Sequence, residues 1–374
     1  MVILGIYPSW GSAASVVTGI KSYNPQILVG NYTVLDEMFA SDAAYQGLIN
    51  QLTSMNWWLV NAAGSRTSAS GGGTNDVNIT SYPNTTSGGQ HEPEWVADWF
   101  NTNNHFSTAN FDIWYFDNVW AVPRTCSADY EENGTNQSCT NSNVEAAWQA
   151  GQVAEWTEAR VNQPDMLMEG NADTNLSAAG LTSQLDGAHL ECMTGASWSP
   201  GSWSAMMSWY LSEPANLKSA QLQEFGGCGS PTDYALFRYT LGATLMGNGF
   251  IAYSSNDSYG QGSSGWYDEY NVNLGTALQS AATSTSSTYQ AGVRAGSYQN
   301  GVWRRDFQNG IALVNPQGNG TKTVTLGGTF YKIAGTQDPT TNNGQGVTSV
   351  TLNASDGIVL CNSACANYPR TSSR

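Results

Sequence analysis

Phe111-Asp112-Ile113-Trp114-Tyr115-Phe116-Asp117-Asn118-Val119-Trp120 holds a short, bulky apolar run at its middle, the composition of a strand buried on both faces. An aspartate, an amide and an indole follow at its C-terminal end. In barrels of parallel strands, that end opens into the βα loops that build the active site. A buried strand that hands Asp117 to a pocket, with Asn118 and Trp120 beside it, reads first as a sugar-cleaving site.

Outward from this run, short apolar stretches alternate with helical patterns, the signature of βα units around a parallel sheet. Strands are expected at 2–7, 26–32, 57–62, the opening run, 166–171, 185–192, 220–226 and 249–254. Asp42 opens a helix with Tyr45, Leu48, Ile49, Leu52 and Met55 on one stripe. Pro93 suits a first helical turn, and Val144, Ala147, Trp148 and Gly151 begin a helix that runs to about Asn162. Further helices are expected at 203–211 and 232–246. The polar stretch 64–90 is long enough to be functional or disordered.

Eight strand candidates favour an α/β chain with a closed (β/α)8 TIM barrel over 1–288, rather than an open doubly wound sheet. From about residue 290 the pattern turns to β, with 302–307 and 311–314 flanking Gln308-Asn309-Gly310, and Asn-Gly is a strong hairpin signal. Strands at 323–326, 329–333, 347–352 and 357–360 complete a small antiparallel β-sheet domain over 289–374.

The 374 residues are enough for a barrel of about 250 residues and a smaller domain. Charged residues make up 11%, against about 25% in ordinary soluble domains, so Ser, Thr, Asn, Gln and Gly must cover much of the surface. A net charge of −16 makes nucleic acid and anionic membranes poor partners and suits a neutral carbohydrate. No apolar run reaches the roughly 20 residues of a membrane span. Met1 leads straight into an apolar strand with no signal-like segment, so the expectation is a secreted, monomeric protein whose export signal has been removed. Sequons begin at Asn31, Asn78, Asn84, Asn133, Asn136, Asn175, Asn256, Asn319 and Asn353, so glycans could be carried.

Six cysteines allow fifteen pairings. Cys126 and Cys139 bracket a polar loop, Cys361 and Cys365 close a tight turn, and Cys192 and Cys228 then remain at the ends of neighbouring strands. His91, His105 and His189 are scattered and no CxxC or HExxH is present, so neither a metal nor a cofactor is expected. Gly260-Gln261-Gly262-Ser263-Ser264-Gly265 matches GxGxxG only by letters; no βαβ unit follows, and it reads as a mobile loop.

Glycoside cleavage needs two carboxyl groups across the scissile bond, one ionised and one protonated at the same pH. Acids stand near the expected strand ends at Asp36 or Glu37, Asp117, Glu169, Glu191 and Glu224. Asp117 is the choice for the ionised partner and Glu191 for the general acid; Glu169 and Glu224 are the reserves. Taken singly, Asp117 reads equally as a loop-capping aspartate and Glu191 as half of an ion pair. An attacking Asp117 makes retention the expected outcome. Substrate contacts are expected from Tyr7, Trp10, Asn118, Trp120, Glu169, Asn171, Trp198, Glu224 and Tyr253, with Trp203 and Trp266 as further stacking candidates. Trp95, Trp99 and Trp148 fall on inner helix faces and are assigned to the core.

The run from Phe111 to Asn118 resembles the fourth-strand motif of barrel glycoside hydrolases related to the α-galactosidase clan. More of the chain is similar to the "hypothetical glycosyl hydrolase 15-like" barrel family. The matching parts are Val77-Asn78-Ile79-Thr80, Asp186-Gly187-Ala188 with Glu191, Trp266-Tyr267-Asp268-Glu269-Tyr270 with Leu274-Gly275, and Trp303-Arg304-Arg305-Asp306-Phe307 with Asn309-Gly310 and Val314-Asn315-Pro316. The resemblance implies a (β/α)8 barrel with a C-terminal β domain, Asp117 as nucleophile and Glu191 as acid. Tyr115 stands where the galactosidase clan carries lysine, which leaves the sugar open. A barrel that binds carbohydrate without cleaving it is the competing reading. A serine esterase is disfavoured because no GxSxG elbow is present, and a lyase because no basic cluster for uronates is.

Overall fold

In the computed structural model, which describes residues 1–172, 181–219, 222–254 and 265–365, the run read first from the sequence is a strand with a parallel neighbour on each side. The chain divides into two compact units, Met1–His189 with Ala215–Leu222, and Leu190–Pro214 with Gln223–Arg374.

The first unit begins β1 (Val2–Leu4), α1 (Ala13–Tyr23), β2 (Val29–Val34), β3 (Glu37–Phe39), α2 (Gln46–Ser54) and β4 (Thr74–Asp76). It continues through α3 (Glu92–Asn103), β5 (Ile113–Asp117), α4 (Ser142–Asn162), β6 (Leu167–Asn171) and the first residues of β7 (Gly187–Thr194). Local chemistry explains these elements. Asp42 caps a helical turn by accepting from the Ala44 N–H, as its position suggested, and Leu48, Ile49 and Leu52 form the buried stripe of α2. Ile113, Trp114, Tyr115 and Phe116 of β5 are all buried, so both faces of that strand are covered. Parallel ladders join β1 to β2, β2 to β5, β5 to β6 and β6 to β7.

Among the described residues the parallel sheet has seven strands, where eight were expected. Residues 57–62 are not among them, because β2 pairs directly with β5, from Gly30 opposite Ile113 to Val34 opposite Asp117. Trp57, Trp58 and Leu59 are buried as the apolar run foretold, but Trp58 and Val60 make only isolated bridges, to Val77 and Arg66. The polar stretch after them is partly ordered, since β4 pairs antiparallel with β3.

In the second unit α5 (Trp203–Ser212), β8 (Leu222–Cys228), α6 (Tyr234–Met246) and β9 (Phe250–Ser254) precede six antiparallel strands. These are β10 (Gly296–Gln299), β11 (Val302–Phe307), β12 (Gly310–Asn315), β13 (Lys322–Lys332), β14 (Gly346–Leu352) and β15 (Asp356–Cys361), paired in the order β10-β11-β12-β15-β13-β14. Val302, Ile311, Leu313, Val324 and Leu360 are among their core residues. Phe307 pairs with Gly310, so the two turn residues are Gln308 and Asn309, one step before the expected Asn-Gly pair. The two strands expected at 323–326 and 329–333 are one, β13, whose register shifts between Thr325 and Phe330 around Gly327, at φ 79°. Arg238 on α6 binds Asp338 at 2.6 Å and Asp356 at 3.1 Å, tying that helix to the β sheet.

The cysteines pair 126–139, 192–228 and 361–365, as expected. No described helix is long and apolar enough to cross a membrane. Two sequons are closed to glycans in the folded chain. Asn31 is fully buried and bonded to Ile6, and Asn78 is buried and donates to the Tyr130 carbonyl. The start of the expected strand at 220–221, the Asn175 and Asn256 sequons and positions 260–264 of the glycine-rich stretch lie outside the described residues.

Candidate active site

β5 ends on Asp117, and the chain turns sharply there because Asn118 adopts the left-handed conformation, at φ 57°. Asparagine tolerates that region better than most residues do. The turn is pinned at its far side, where the Val119 N–H donates to the Asn171 carbonyl at 2.9 Å. Gly170 makes room for it, since a Cβ there would lie 2.7 Å from Val119 Cγ2 and from Leu185 Cδ1.

Three donors converge on the half-buried Asp117 carboxylate. The Tyr32 hydroxyl donates to Oδ2 at 2.5 Å; the Asn171 side-chain amide and the Asn118 backbone N–H donate to Oδ1 at 3.0 Å and 2.9 Å. Both oxygens thus face donors, which is how a carboxylate ion, acceptor-only, is paired. Two of these donors come from neighbouring strands, Tyr32 on β2 and Asn171 on β6; in the ladders Tyr32 and Glu169 stand beside Tyr115, and Asn171 stands beside His189. By the two-residue alternation, Tyr115 with Asp117 and Glu169 with Asn171 share a face. Glu169 and His189 are buried, and the rings of Tyr115 and His189 lie 6.2 Å apart.

The setting is strongly acidic. Asn118 turns its side-chain amide to Asp36 Oδ1 at 2.9 Å and to Glu37 Oε1 at 3.3 Å. Arg124 answers these two carboxylates, 3.5 Å from Asp36 and 3.0 Å from Glu37, and also donates to Ser70. Burial pushes the Asp36 carboxyl up to about 7 despite the Arg124 guanidinium and the Asn118 amide, which pull it down. The Tyr32 phenol is raised far above its ordinary value, first by burial of its polar end and then by the Asp117 charge it bonds, although the residue as a whole is 37% exposed. One guanidinium facing Asp36 and Glu37, with Asp117 alongside, leaves a negative field suited to a developing positive charge.

The remaining expected residues are placed as follows. Tyr7 and Trp10 follow β1 and are each 47% exposed, with the Tyr7 ring edge-on to Tyr45. Trp120 is half-buried; its backbone is held by Gln152, and the Arg124 guanidinium lies 5.8 Å from its ring centroid. In the second unit, Glu191 is half-buried on β7 and Glu224 half-buried on β8. Trp198 is 53% exposed, and so available for stacking. Tyr253 points its hydroxyl at the Ser230 and Asp233 carbonyls and packs its ring against Phe237 and Tyr267. Trp203 is a correction: it is buried against Tyr239 and Trp303 and offers no face to a sugar. No cluster of three metal-ligating side chains occurs among the described residues.

No protein-family model matches the chain, and no curated protein does. Among solved structures it is similar to an α-amylase from Lactobacillus plantarum, with a TM-score of 0.46 and 10% identity over 95% of this chain and 83% of that one. It is also similar to the α-amylase from Geobacillus thermoleovorans complexed with acarbose, with a TM-score of 0.43 and 9% identity over 94% of this chain and 80% of the other. A third is the cycloalternan-forming enzyme from Listeria monocytogenes in complex with a pentasaccharide substrate, at 0.48 and 10%, over 93% of this chain and 34% of that one. These are likenesses in the course of the chain. The chemistry is read from the residues themselves.

Tyr32 and Arg124 are the two site residues that sequence reasoning missed. Tyr32 had a signal only in closing the expected second strand; its place beside Asp117 follows from the direct β2–β5 pairing, where a further strand was expected between them. Arg124 had none: it stands in a loop between Pro123 and Cys126, and only the fold brings Asp36 and Glu37 to it.

Proposed function

We propose that the protein is an exported glycoside hydrolase acting on a neutral poly- or oligosaccharide by the two-carboxylate mechanism, with Asp117 as nucleophile or charge stabiliser and Glu191 as general acid/base. The observation that carries this reading is the Asp117 carboxylate, half-buried at the C-terminal end of a parallel strand and held by Tyr32, Asn171 and the Asn118 N–H. A fixed carboxylate in an acidic setting suits attack on, or stabilisation of, an oxocarbenium-like sugar. Retention follows if Asp117 attacks. The reading assigns the chemistry to a (β/α) barrel over 1–288 and a supporting role to the β domain over 289–374. Export is supported by three disulfide pairs, which persist in oxidising compartments.

A second assignment of the acid is favoured by one observation. Glu169 is fully buried, and it belongs to the same strand face as Asn171, whose amide reaches Asp117. In that variant of the mechanism Glu169 replaces Glu191.

The test is a panel of neutral polysaccharides, with products sized and their anomers detected, run on the natural protein and on Asp117→Asn. Turnover by the natural protein and its loss in the variant, with folding intact, is the expected result. Undiminished turnover in the variant removes Asp117 from the chemistry. Binding without cleavage by the natural protein leaves only a carbohydrate-holding barrel.

A further inference from the structure

We propose that Asp36 is a positioning residue for the Asp117 carboxylate, acting through Asn118; the proposal rests on the glycosidase reading above. Asp36 is 4% exposed at the turn from β2 into β3, and its carbonyl accepts the Val77 N–H at 2.8 Å, so its own place is fixed by the backbone. Its Oδ1 accepts the Asn118 side-chain amide at 2.9 Å, with Glu37 Oε1 a longer second acceptor at 3.3 Å. Asn118 tolerates the left-handed region without being confined to it, and the bond of its side-chain amide to Asp36 anchors it there. Held so, its backbone N–H points at Asp117 Oδ1, 2.9 Å away. A buried acceptor therefore sets a side chain, which sets a backbone turn, which sets a donor on the reacting carboxylate.

A bland alternative is that Asp36 serves only as a counter-charge for Arg124, 3.5 Å away. The two roles separate by substitution. Asp36→Asn keeps an oxygen for the Asn118 amide and loses the charge, while Glu37 still holds Arg124 at 3.0 Å. Asp36→Leu keeps the branched shape at greater bulk and loses the acceptor.

The experiment measures kcat and KM on the best substrate of the panel. It also measures hydrogen exchange of the Asn118 backbone amide in protein labelled with 15N-asparagine. Positioning predicts that Asp36→Leu lowers kcat roughly 10- to 100-fold with KM within about twofold, the scale of a small misplacement of a reacting group. Its Asn118 amide exchanges faster, and Asp36→Asn restores most of both. Equal losses in the two variants assign the effect to the charge and overturn the proposal, as does an Asp36→Leu protein with normal kcat and normal Asn118 protection. If Asp36→Leu does not fold, Asn118→Ala takes its place, since alanine drops the side-chain amide and does not itself favour the left-handed turn. The same kcat loss is then expected, and an unchanged kcat overturns the proposal. If the natural protein cleaves no glycan, the glycosidase reading fails by itself, and the amide exchange still decides whether Asp36 sets the turn.

Discussion

Tyr32 donates its phenol to Asp117 Oδ2 at 2.5 Å across the β2–β5 ladder. A hydrogen bond to a charged acceptor contributes about 1.5–3 kcal/mol, which corresponds to roughly 10- to 100-fold in rate if it is lost where charge changes. Tyr32→Phe should therefore lower kcat by that factor. The change in melting temperature should be small, because the residue is 37% exposed and its ring is retained. Steady-state kinetics beside thermal unfolding checks this. Full activity in Tyr32→Phe would show that the hydroxyl does not serve the carboxylate.

Two buried carboxyls outside the site give the fold a pH dependence. Glu92 at the start of α3 and Glu155 on α4 are 1% and 2% exposed, and Glu92 Oε2 and Glu155 Oε1 have no hydrogen-bond partner among the described residues. Burial raises both well above the ordinary glutamate value; Glu155 raises Glu92 further, and Asp36 adds to each. The sign follows from proton binding. The folded chain keeps these protons to higher pH than the unfolded chain does, so stability is complete below about 4 and is lost as pH rises through the folded values. Asp36, raised to about 7, contributes in the same direction between roughly 4 and 7. The melting temperature should fall from pH 5 to pH 8. Glu155→Gln should flatten that fall and raise the melting temperature by several degrees at pH 8, as scanning calorimetry across pH would read. A variant that melts lower than the natural protein at pH 8 would mean that an ionised Glu155 is satisfied inside the fold.

Much of this was legible in the order of residues, and the exceptions have physical causes. Ile113 to Phe116 read as a doubly buried strand and is one, because bulky β-formers bounded by polar residues admit few other buried forms. Residues 57–62 have the same look and are not a strand of the sheet; Trp57, Trp58 and Leu59 satisfy the same burial pattern without a ladder. Thr74–Asp76 shows the reverse: Asn75 and Asp76 disfavour strands, yet the segment pairs because Glu37–Phe39 offers it an edge. Asp117 could be named from its strand end, but not its donors. Which residue of β2 or β6 stands beside it depends on register, and alternation within one strand carries no register between strands.

The choice between Glu191 and Glu169 as the acid is the sharpest remaining test, because a general acid works hardest where the leaving group is poor. Proton donation to the departing oxygen contributes about 10²- to 10⁴-fold on natural glycosides. It matters little for an activated aryl glycoside, whose leaving group departs as a stable anion. Glu191→Gln should therefore lose about 10²-fold or more on an oligosaccharide and far less on the aryl analogue, while Glu169→Gln should lose similar amounts on both. Kinetics on the two substrate types, with circular dichroism to confirm folding, measures the contrast. If the leaving-group dependence appears in Glu169→Gln instead, the acid is the fully buried glutamate on β6. The Glu191 assignment falls, and Asp117 keeps its role.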